Sequence, residues 1–168
     1  LRSLVISTGV RRRATTETGR PREDSTDPDS SQRGRATGAR IEFIAPDWRD
    51  VRIRLPLNRR TRNYVGTIFG GSMYAALDPI YMVMLIKLLG PGYEVWDKTA
   101  TIRFRRPGRS TLRATFRVDE AELEKIRVDV AQAGRSERQY TVTLVNDQGE
   151  ECASCEKTLS IRARPLRA

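Results

Sequence analysis

An apolar segment at residues 73–89 constrains the fold of this chain more than any other feature. Only Asp78, Pro79 and Lys87 interrupt it, and its length suits a helix that is apolar on all sides. Seventeen residues that include an acid, a proline and a lysine are too few and too polar to span a bilayer comfortably. The segment therefore predicts a helix buried at the centre of the protein, kinked where Pro79 removes a backbone donor.

Alternating apolar and polar residues predict strands on both sides of this helix. The predicted strands are residues 41–45, 51–57, 94–106, 111–118, 138–145 and 152–161. Asp119, followed three positions later by Glu122, is a capping-box pattern that predicts a second, short helix ending near Ala131. These elements imply an α+β fold in which a curved antiparallel sheet of about six strands wraps around the central helix. A second subunit is expected to cover the remainder of the helix.

The first 40 residues differ in composition from the rest of the chain. They are rich in Ser, Thr, Gly, Pro and charge, which predicts a disordered basic tail before a folded domain at residues 41–164. The formal net charge is +10, but no aromatic residue interleaves the basic positions of the tail, so we expect no nucleic-acid partner. No secretory signal is predicted, although the Arg-rich opening faintly resembles a transit peptide. We expect a cytoplasmic protein without a membrane partner.

The absence of histidine excludes several classes of active site. A Ser-His-Asp or Cys-His nucleophile system and a His-ligated metal are impossible. Cys152 and Cys155 form a single C-x-x-C on a predicted strand, which cannot complete a zinc site within one chain. Residues three apart on a strand point to opposite faces, so a disulfide is also disfavoured. We predict no metal and no cofactor, and acid–base chemistry is left to carboxylates, Lys, Tyr or water.

Residues 63–78 carry the pattern N-x-x-G-x-x-x-G-G-x6-D. Gly70 and Gly71 predict a tight turn into a helix N-terminus, where free backbone N–H groups can hold an oxyanion. Asp78 is the only acid in the apolar helix, so it must be paired, protonated or in use. Burial disfavours a charged carboxylate, so a cation is needed to keep Asp78 ionised, and Lys98 is the candidate partner.

This motif resembles the hot-dog acyl-CoA thioesterases of the phenylacetate-pathway type, over residues 41–161. The resemblance rests on the following positions: Asn63, Gly66, Gly70, Gly71, Asp78, Thr101, Ile102, Phe104, Pro107 and Gly108. Three segments are closer still to an uncharacterised hot-dog family, a domain of unknown function: Phe69-Gly70-Gly71, Asp78-Pro79 and Val95-Trp96-Asp97-Lys98. The resemblance implies a hot-dog fold. It also implies a homodimer or a dimer of dimers, since sites of this kind form across a dimer interface.

The resemblance further implies a role for each residue of the candidate site. The Gly71 N–H would polarise a thioester carbonyl and stabilise the oxyanion, and Asn63 would orient the carbonyl or the attacking water. Asp78 would act as general base or nucleophile, reaching the thioester from the neighbouring subunit. Asp97 or Lys98 would assist from early in a strand. Coenzyme A would enter only as part of an acyl-CoA-type substrate.

One position departs from the thioesterase pattern, because Phe69 stands where those enzymes carry a His directly before the Gly-Gly. Phe69 and Gly70 are then expected to form an apolar wall of the substrate pocket. Arg106 and Arg109 belong to a basic run that can bind the phosphates of coenzyme A through the guanidinium fork. The alternative for this run is a solvated strand face.

Structural roles remain open for the other candidates. Asp78 could tie down backbone groups freed by Pro79, Asn63 could cap its own loop, and Asp97 could pair with Lys98 at the end of a strand. Two other functions also remain open. One is a non-catalytic acyl- or lipid-binding module in which the pocket only binds. The other is a basic adaptor that acts through residues 1–40.

Overall fold

The structure, a computed structural model, describes residues 4–6 and 38–164. The predicted disordered tail therefore lies outside the described residues, apart from a few positions at its two ends. At the first of these ends the backbone forms a short strand, β1 (Leu4–Ile6), which no pattern in the sequence predicted.

The part of the chain that the structure describes forms one antiparallel sheet with three helices. The remaining strands are β2 (Arg40–Ile44), β3 (Asp50–Leu55), β4 (Tyr93–Phe104), β5 (Leu112–Arg117), β6 (Arg135–Val145) and β7 (Glu151–Ala163). The helices are α1 (Gly70–Leu77), α2 (Ile80–Leu89) and α3 (Glu120–Ala133). The strand order is β1-β4-β7-β6-β5-β3-β2, with every neighbouring pair antiparallel. All six predicted strands are confirmed, and β1 adds a seventh beside β4.

The sheet forms where the sequence alternates, and the alternation decides which face is buried. In β5, Leu112, Ala114 and Phe116 are buried while the residues between them are exposed. β3 pairs with β5 in register from Asp50–Arg117 to Leu55–Leu112, and its own apolar residues share the buried face. This face of the sheet packs against α1 and α2 in one continuous core.

The predicted central helix is confirmed, but it is longer and is broken. It begins at Gly70 rather than Met73, and it divides into α1 and α2 at Asp78 and Pro79. Proline has no N–H to continue the backbone ladder, which explains the break. One side of the broken helix is buried in the core, whereas Ile86 on α2 is 44% exposed. The single chain therefore leaves part of the helix uncovered.

By length and composition alone, the segment Gly70–Leu89 is apolar enough to cross a membrane. The core helix of a globular protein meets the same criteria when it is surrounded by apolar side chains. Met73, Leu77, Met84 and Leu85 are each at most 3% exposed and belong to the core under the sheet. These contacts identify the segment as the core helix of this fold.

Candidate functional site

The loop before α1 is shaped largely by the side chain of Asn63. Its Oδ1 accepts hydrogen bonds from the backbone N–H groups of Val65 and Thr67, each at 3.1 Å. Its Nδ2 donates to the Thr67 hydroxyl at 3.0 Å. Gly66 completes the turn at φ +86°, in the left-handed region that favours glycine. These bonds support the loop-capping role for Asn63, and its contact with substrate stays a prediction.

The two glycines that open α1 are explained by aromatic rings packed against the backbone. A Cβ on Gly70 would lie 2.9 Å from the Phe104 ring, and one on Gly71 would lie 2.3 Å from the Phe69 ring. The carbonyl of Phe69 accepts the N–H groups of Ser72 and Met73, three and four residues later. No backbone acceptor for the Gly70 or Gly71 N–H lies among the described residues. The start of α1 thus offers free amides beside an apolar ring.

These contacts predict different costs for adding a methyl group at the two glycines. We expect Gly70→Ala to lower the free energy of unfolding by about 1–2 kcal/mol, since Phe104 is partly buried and packed on the core. Gly71→Ala should change it by less than about 0.5 kcal/mol. The reason is that Phe69 is 56% exposed and its ring can turn away. Urea denaturation of both variants measures the difference, and equal costs would contradict the packing argument.

A buried lysine joins the two predicted site carboxylates. The side chain of Lys157 on β7 is fully buried, and its Nζ lies 3.1 Å from Asp78 Oδ1 and 2.9 Å from Asp97 Oδ1. Nζ also donates a hydrogen bond to the backbone carbonyl of Asp78, at the break between α1 and α2. The contact between Nζ and Asp97 Oδ1 is an ion pair. Lys157 thus brings together a helix end and the strand β4.

The Asp78 carboxylate has one anchored oxygen and one free oxygen. Oδ1 accepts hydrogen bonds from Lys157 and from the hydroxyl of Tyr74, one turn earlier in α1, at 3.0 Å. For Oδ2, no partner is found within the described ranges, and the side chain is 33% exposed. Of the three states predicted for this acid, paired, protonated or in use, the structure shows that Asp78 is paired. It still presents an oxygen to the outside.

Burial shifts the titration of the groups around this carboxylate. Burial raises the pKa of Tyr74, and the charge of Asp78 adds to the shift, so Tyr74 remains a donor. Burial also raises the pKa of Asp97, with Lys157 opposing the shift and Asp78 adding to it. The neighbouring Cys155 has a pKa raised to about 11, mainly by burial, so its thiol is neutral at pH 7 and is not a thiolate nucleophile. Chemistry at neutral pH is left to the carboxylates.

The prediction that Lys98 pairs with Asp78 is wrong. Lys98 Nζ lies 2.6 Å from Glu137 Oε1, and both side chains are largely exposed. A register shift between Asp97 and Thr99 interrupts the alternation of β4 at Lys98. The alternative pairing of Asp97 with Lys98 is excluded as well, since each binds a different partner. A contact between Lys98 and substrate stays a prediction.

The signal that could have identified Lys157 is its place in a strand. Cys155, Lys157 and Leu159 alternate along β7, and all three are at most 1% exposed. A lysine at an inward position of an apolar alternation has to meet a buried acid, because an unpaired ammonium is costly there. Only the pairing of β7 with β4 shows which acid lies within reach.

Cys152 and Cys155 are buried and free, as predicted from their spacing on a strand. Both lie in β7, and Cys155 is paired in register with Ile102 of β4. Their burial in the sheet accounts for two small residues at these positions without a bond between them.

The arginines that follow the end of β4 are largely engaged in surface ion pairs. Arg105 lies 3.3 Å from Glu151, and Arg106 lies 3.4 Å from Glu150. Arg109 has no ion pair with any residue that the structure describes. Arg62, which no sequence motif indicated, is exposed and likewise has no ion pair within the described residues. Arg62 and Arg109 lie on adjoining segments, because Arg62 forms a β-bridge with Ile68 and the Ile68 N–H donates to the carbonyl of Gly108.

Comparison with protein families found one match, which covers residues 35–161. The matching family is described as a domain of unknown function, DUF4442. No curated protein matches the chain significantly.

Solved structures show the same fold at low sequence identity. A Pseudomonas aeruginosa protein of unknown function, named as a probable thioesterase, superimposes with a TM-score of 0.71 at 22% identity, covering 77% of this chain and 86% of its own. A Chlorobaculum tepidum protein of unknown function gives 0.68 at 17% identity, with 81% and 89% covered. A Haemophilus influenzae thioesterase gives 0.62 at 18% identity, with 80% and 85% covered. These matches confirm the hot-dog fold.

Proposed function

Because the chain belongs to the family described as a domain of unknown function, DUF4442, and has the hot-dog fold of thioesterase-like proteins, we propose that it hydrolyses thioesters. The proposed substrate is an acyl group on coenzyme A or on an acyl carrier. The observation that carries the proposal is the Asp78 carboxylate, with Oδ1 anchored by two donors and the side chain one-third exposed. A carboxylate held in this way has one oxygen fixed by the protein and presents the other to a substrate or a water molecule.

In the proposed reaction, Asp78 removes a proton from water while the water oxygen attacks the thioester carbonyl carbon. The carbonyl oxygen becomes an oxyanion, which the backbone N–H of Gly71 stabilises. When the tetrahedral intermediate collapses, the carbon–sulfur bond breaks and the thiolate takes the proton from Asp78. The alternative use of Asp78 is direct attack on the carbonyl to form a mixed anhydride, which water then hydrolyses.

The proposed site requires two copies of the chain. Gly71 and Asp78 are seven residues apart in sequence, which corresponds to about 10 Å along a helix axis. The amides at the start of a helix also point away from its C-terminal end. One thioester carbonyl therefore cannot meet both groups of the same chain. We place Gly71 and Asp78 on different subunits of a homodimer, alone or within a dimer of dimers.

The apolar surroundings of Gly71 support an acyl substrate. The exposed ring of Phe69 packs against the Gly71 backbone, where the thioesterases that the sequence resembles carry a His. The same ring is the observation that favours the alternative function, a non-catalytic acyl- or lipid-binding module. A ring over the amide can shield an oxyanion from water, or it can close the pocket to hydrolysis.

Thiol release from a panel of acyl-CoA esters distinguishes the two functions. The panel should include short, long and aromatic acyl groups, with free thiol measured against an enzyme-free background. Turnover above background on any member supports the hydrolase. Absence of turnover across the panel, together with a co-purified acyl ligand in native mass spectrometry, would instead establish the binding module.

Arg62 and Arg109 predict that the enzyme binds an acyl-CoA more tightly than the same acyl group on a shorter thiol. Arg62 and Arg109 lie on segments adjoining α1, so we place the nucleotide phosphates beside them. The double variant Arg62→Ala/Arg109→Ala should raise KM for an acyl-CoA about tenfold, equivalent to about 1.4 kcal/mol. KM for the same acyl group on N-acetylcysteamine, which has no phosphate, should not change.

Two matched variants control this prediction. Arg127→Ala removes an arginine that is paired with Glu120 on α3, and it should leave both KM values unchanged. Arg106→Ala should have a smaller effect than the double variant, because Glu150 already engages that guanidinium. Equal increases of KM for both thioesters would contradict a phosphate contact.

A cytoplasmic location, without membrane or nucleic-acid partners, also stays a prediction.

A further inference from the structure

The ammonium of Lys157 is surrounded by oxygen atoms at the centre of the proposed site. Its three contacts are the backbone carbonyl and Oδ1 of Asp78 and Oδ1 of Asp97. An ammonium has three N–H donors, so it can donate to the carbonyl and Oδ1 of Asp78 while it holds Asp97 Oδ1 as an ion pair. Lys157 itself has no exposed surface and cannot touch a substrate in this arrangement. Any effect it has on chemistry must act through the carboxylates.

The charge of this cluster is unbalanced. One ammonium faces two carboxylates, and the other titratable groups packed around it are the neutral side chains of Tyr74 and Cys155. If Lys157 served only to fix the break between α1 and α2, its hydrogen bond to the Asp78 carbonyl would be sufficient. The additional contacts hold Oδ1 of Asp78 toward the interior, which directs Oδ2 outward.

We infer that Lys157 is a positioning residue for the proposed hydrolysis, which orients Asp78 from the interior and links it to Asp97 in one charge cluster. The inference rests on the proposed function of Asp78 as base or nucleophile. It assigns to Asp97 an indirect part, as the second carboxylate on the shared ammonium rather than as a substrate contact. Both parts can be tested with single substitutions.

Lys157→Met replaces the ammonium with an unbranched apolar side chain of similar length. Two neighbouring carboxylates without a cation cannot both stay ionised easily, so one of them should bind a proton at neutral pH. Burial already raises the pKa of Asp97, and Lys157 is the group that opposes this shift. In Lys157→Met, Asp97 should therefore titrate at higher pH than in wild type. The value of kcat should fall about 10²-fold, with the acid limb of the pH–rate profile moved to higher pH and KM little changed.

The experiment combines two readouts on the full chain. Carbon-13 NMR of labelled aspartate side chains follows the Asp97 carboxyl resonance, assigned from its loss in Asp97→Asn. Thiol release from the best acyl-CoA is measured from pH 5 to 9. Leu159→Ala serves as the matched control, since it removes a buried side chain two residues along β7 without changing a charge. It should lower the melting temperature and leave the pH–rate profile in place.

A second variant keeps the test decisive if Lys157→Met folds poorly. Lys157→Met/Asp97→Asn also removes the second carboxylate, so Asp78 no longer faces a like charge. The acid limb should return toward its wild-type position in this double variant, while a purely structural role for Lys157 predicts no such return.

The outcomes separate the inference from the proposed function. An Asp97 titration that is the same in wild type and Lys157→Met would overturn the charge cluster, whatever the activity. A shifted titration in a wild-type protein that releases no thiol would support the cluster and refute the hydrolase. A shifted titration with unchanged kcat and unchanged pH profile would overturn the positioning role alone.

Discussion

Asp78→Asn is expected to abolish measurable thiol release, with kcat reduced about 10²–10⁴-fold. Asparagine has nearly the shape of aspartate but cannot take a proton from water or attack a carbonyl as a carboxylate does. The structure also gives a reason for the variant to fold. Its Oδ1 can still accept from Tyr74 and Lys157, and Lys157 keeps Asp97 as a charged partner. Thiol release and the melting temperature, measured on the same preparation, check both statements.

A surface carboxylate provides the control for this substitution. Asp129 on α3 binds Arg138 at 2.9 Å and lies outside the proposed site. Asp129→Asn should therefore retain wild-type turnover, and size-exclusion chromatography should give one oligomeric state for all three proteins. Wild-type rates in a folded Asp78→Asn would remove Asp78 from the mechanism. A loss of both folding and activity would point instead to the structural role at the helix break.

Gly71→Pro should reduce kcat about 10²–10³-fold, which is the typical effect of losing one oxyanion donor. Proline has no N–H, and it is tolerated in the first turn of a helix. The Phe69 ring would have to turn away from a new Cβ at this position, and the comparison is best made in a Phe69→Ala background, where no ring moves. In that background Gly71→Ala adds a Cβ and keeps the N–H, which makes it the matched control. The ratio of kcat between the Pro and Ala variants measures the amide alone.

The same pair of variants tests whether the site is shared between subunits. If Gly71 of one chain serves Asp78 of another, then mixed dimers of Gly71→Pro and Asp78→Asn contain one complete site. Random mixing should then restore about a quarter of the parent activity, since half of the dimers are mixed and each has one of its two sites intact. Unfolding and refolding the two inactive proteins together performs the mixing.

Equal rates for the Pro and Ala variants would exclude the Gly71 amide as a donor.

Local patterns were enough to predict every described helix and strand except β1. The alternation in β5, with Leu112, Ala114 and Phe116 facing inward, is visible in six residues of sequence. The central helix was predicted because its apolar residues continue for too long to be a strand. A kink was predicted at Pro79 because proline has no N–H, and the structure has a full break there. These properties are local, since they depend on side chains and backbone donors only a few residues apart. The candidate residues Gly71 and Asp78 were found in the same way, as departures from a local pattern.

The partner of Asp78 could not be found in that way. Lys98 and Lys157 are both single lysines in strands, and the neighbouring Asp97 made Lys98 the predicted partner. The irregularity at Lys98 and the pairing of β4 with β7 reverse that choice, placing Lys98 beside Glu137 and Lys157 beside both carboxylates. Strand register and the docking of a helix on a sheet bring together residues 79 positions apart, as for Lys157 and Asp78. Local sequence patterns determined the helices, the strands and the candidate reactive residues. The charges that surround those residues were decided by tertiary packing, because electrostatic interactions depend on distance in space.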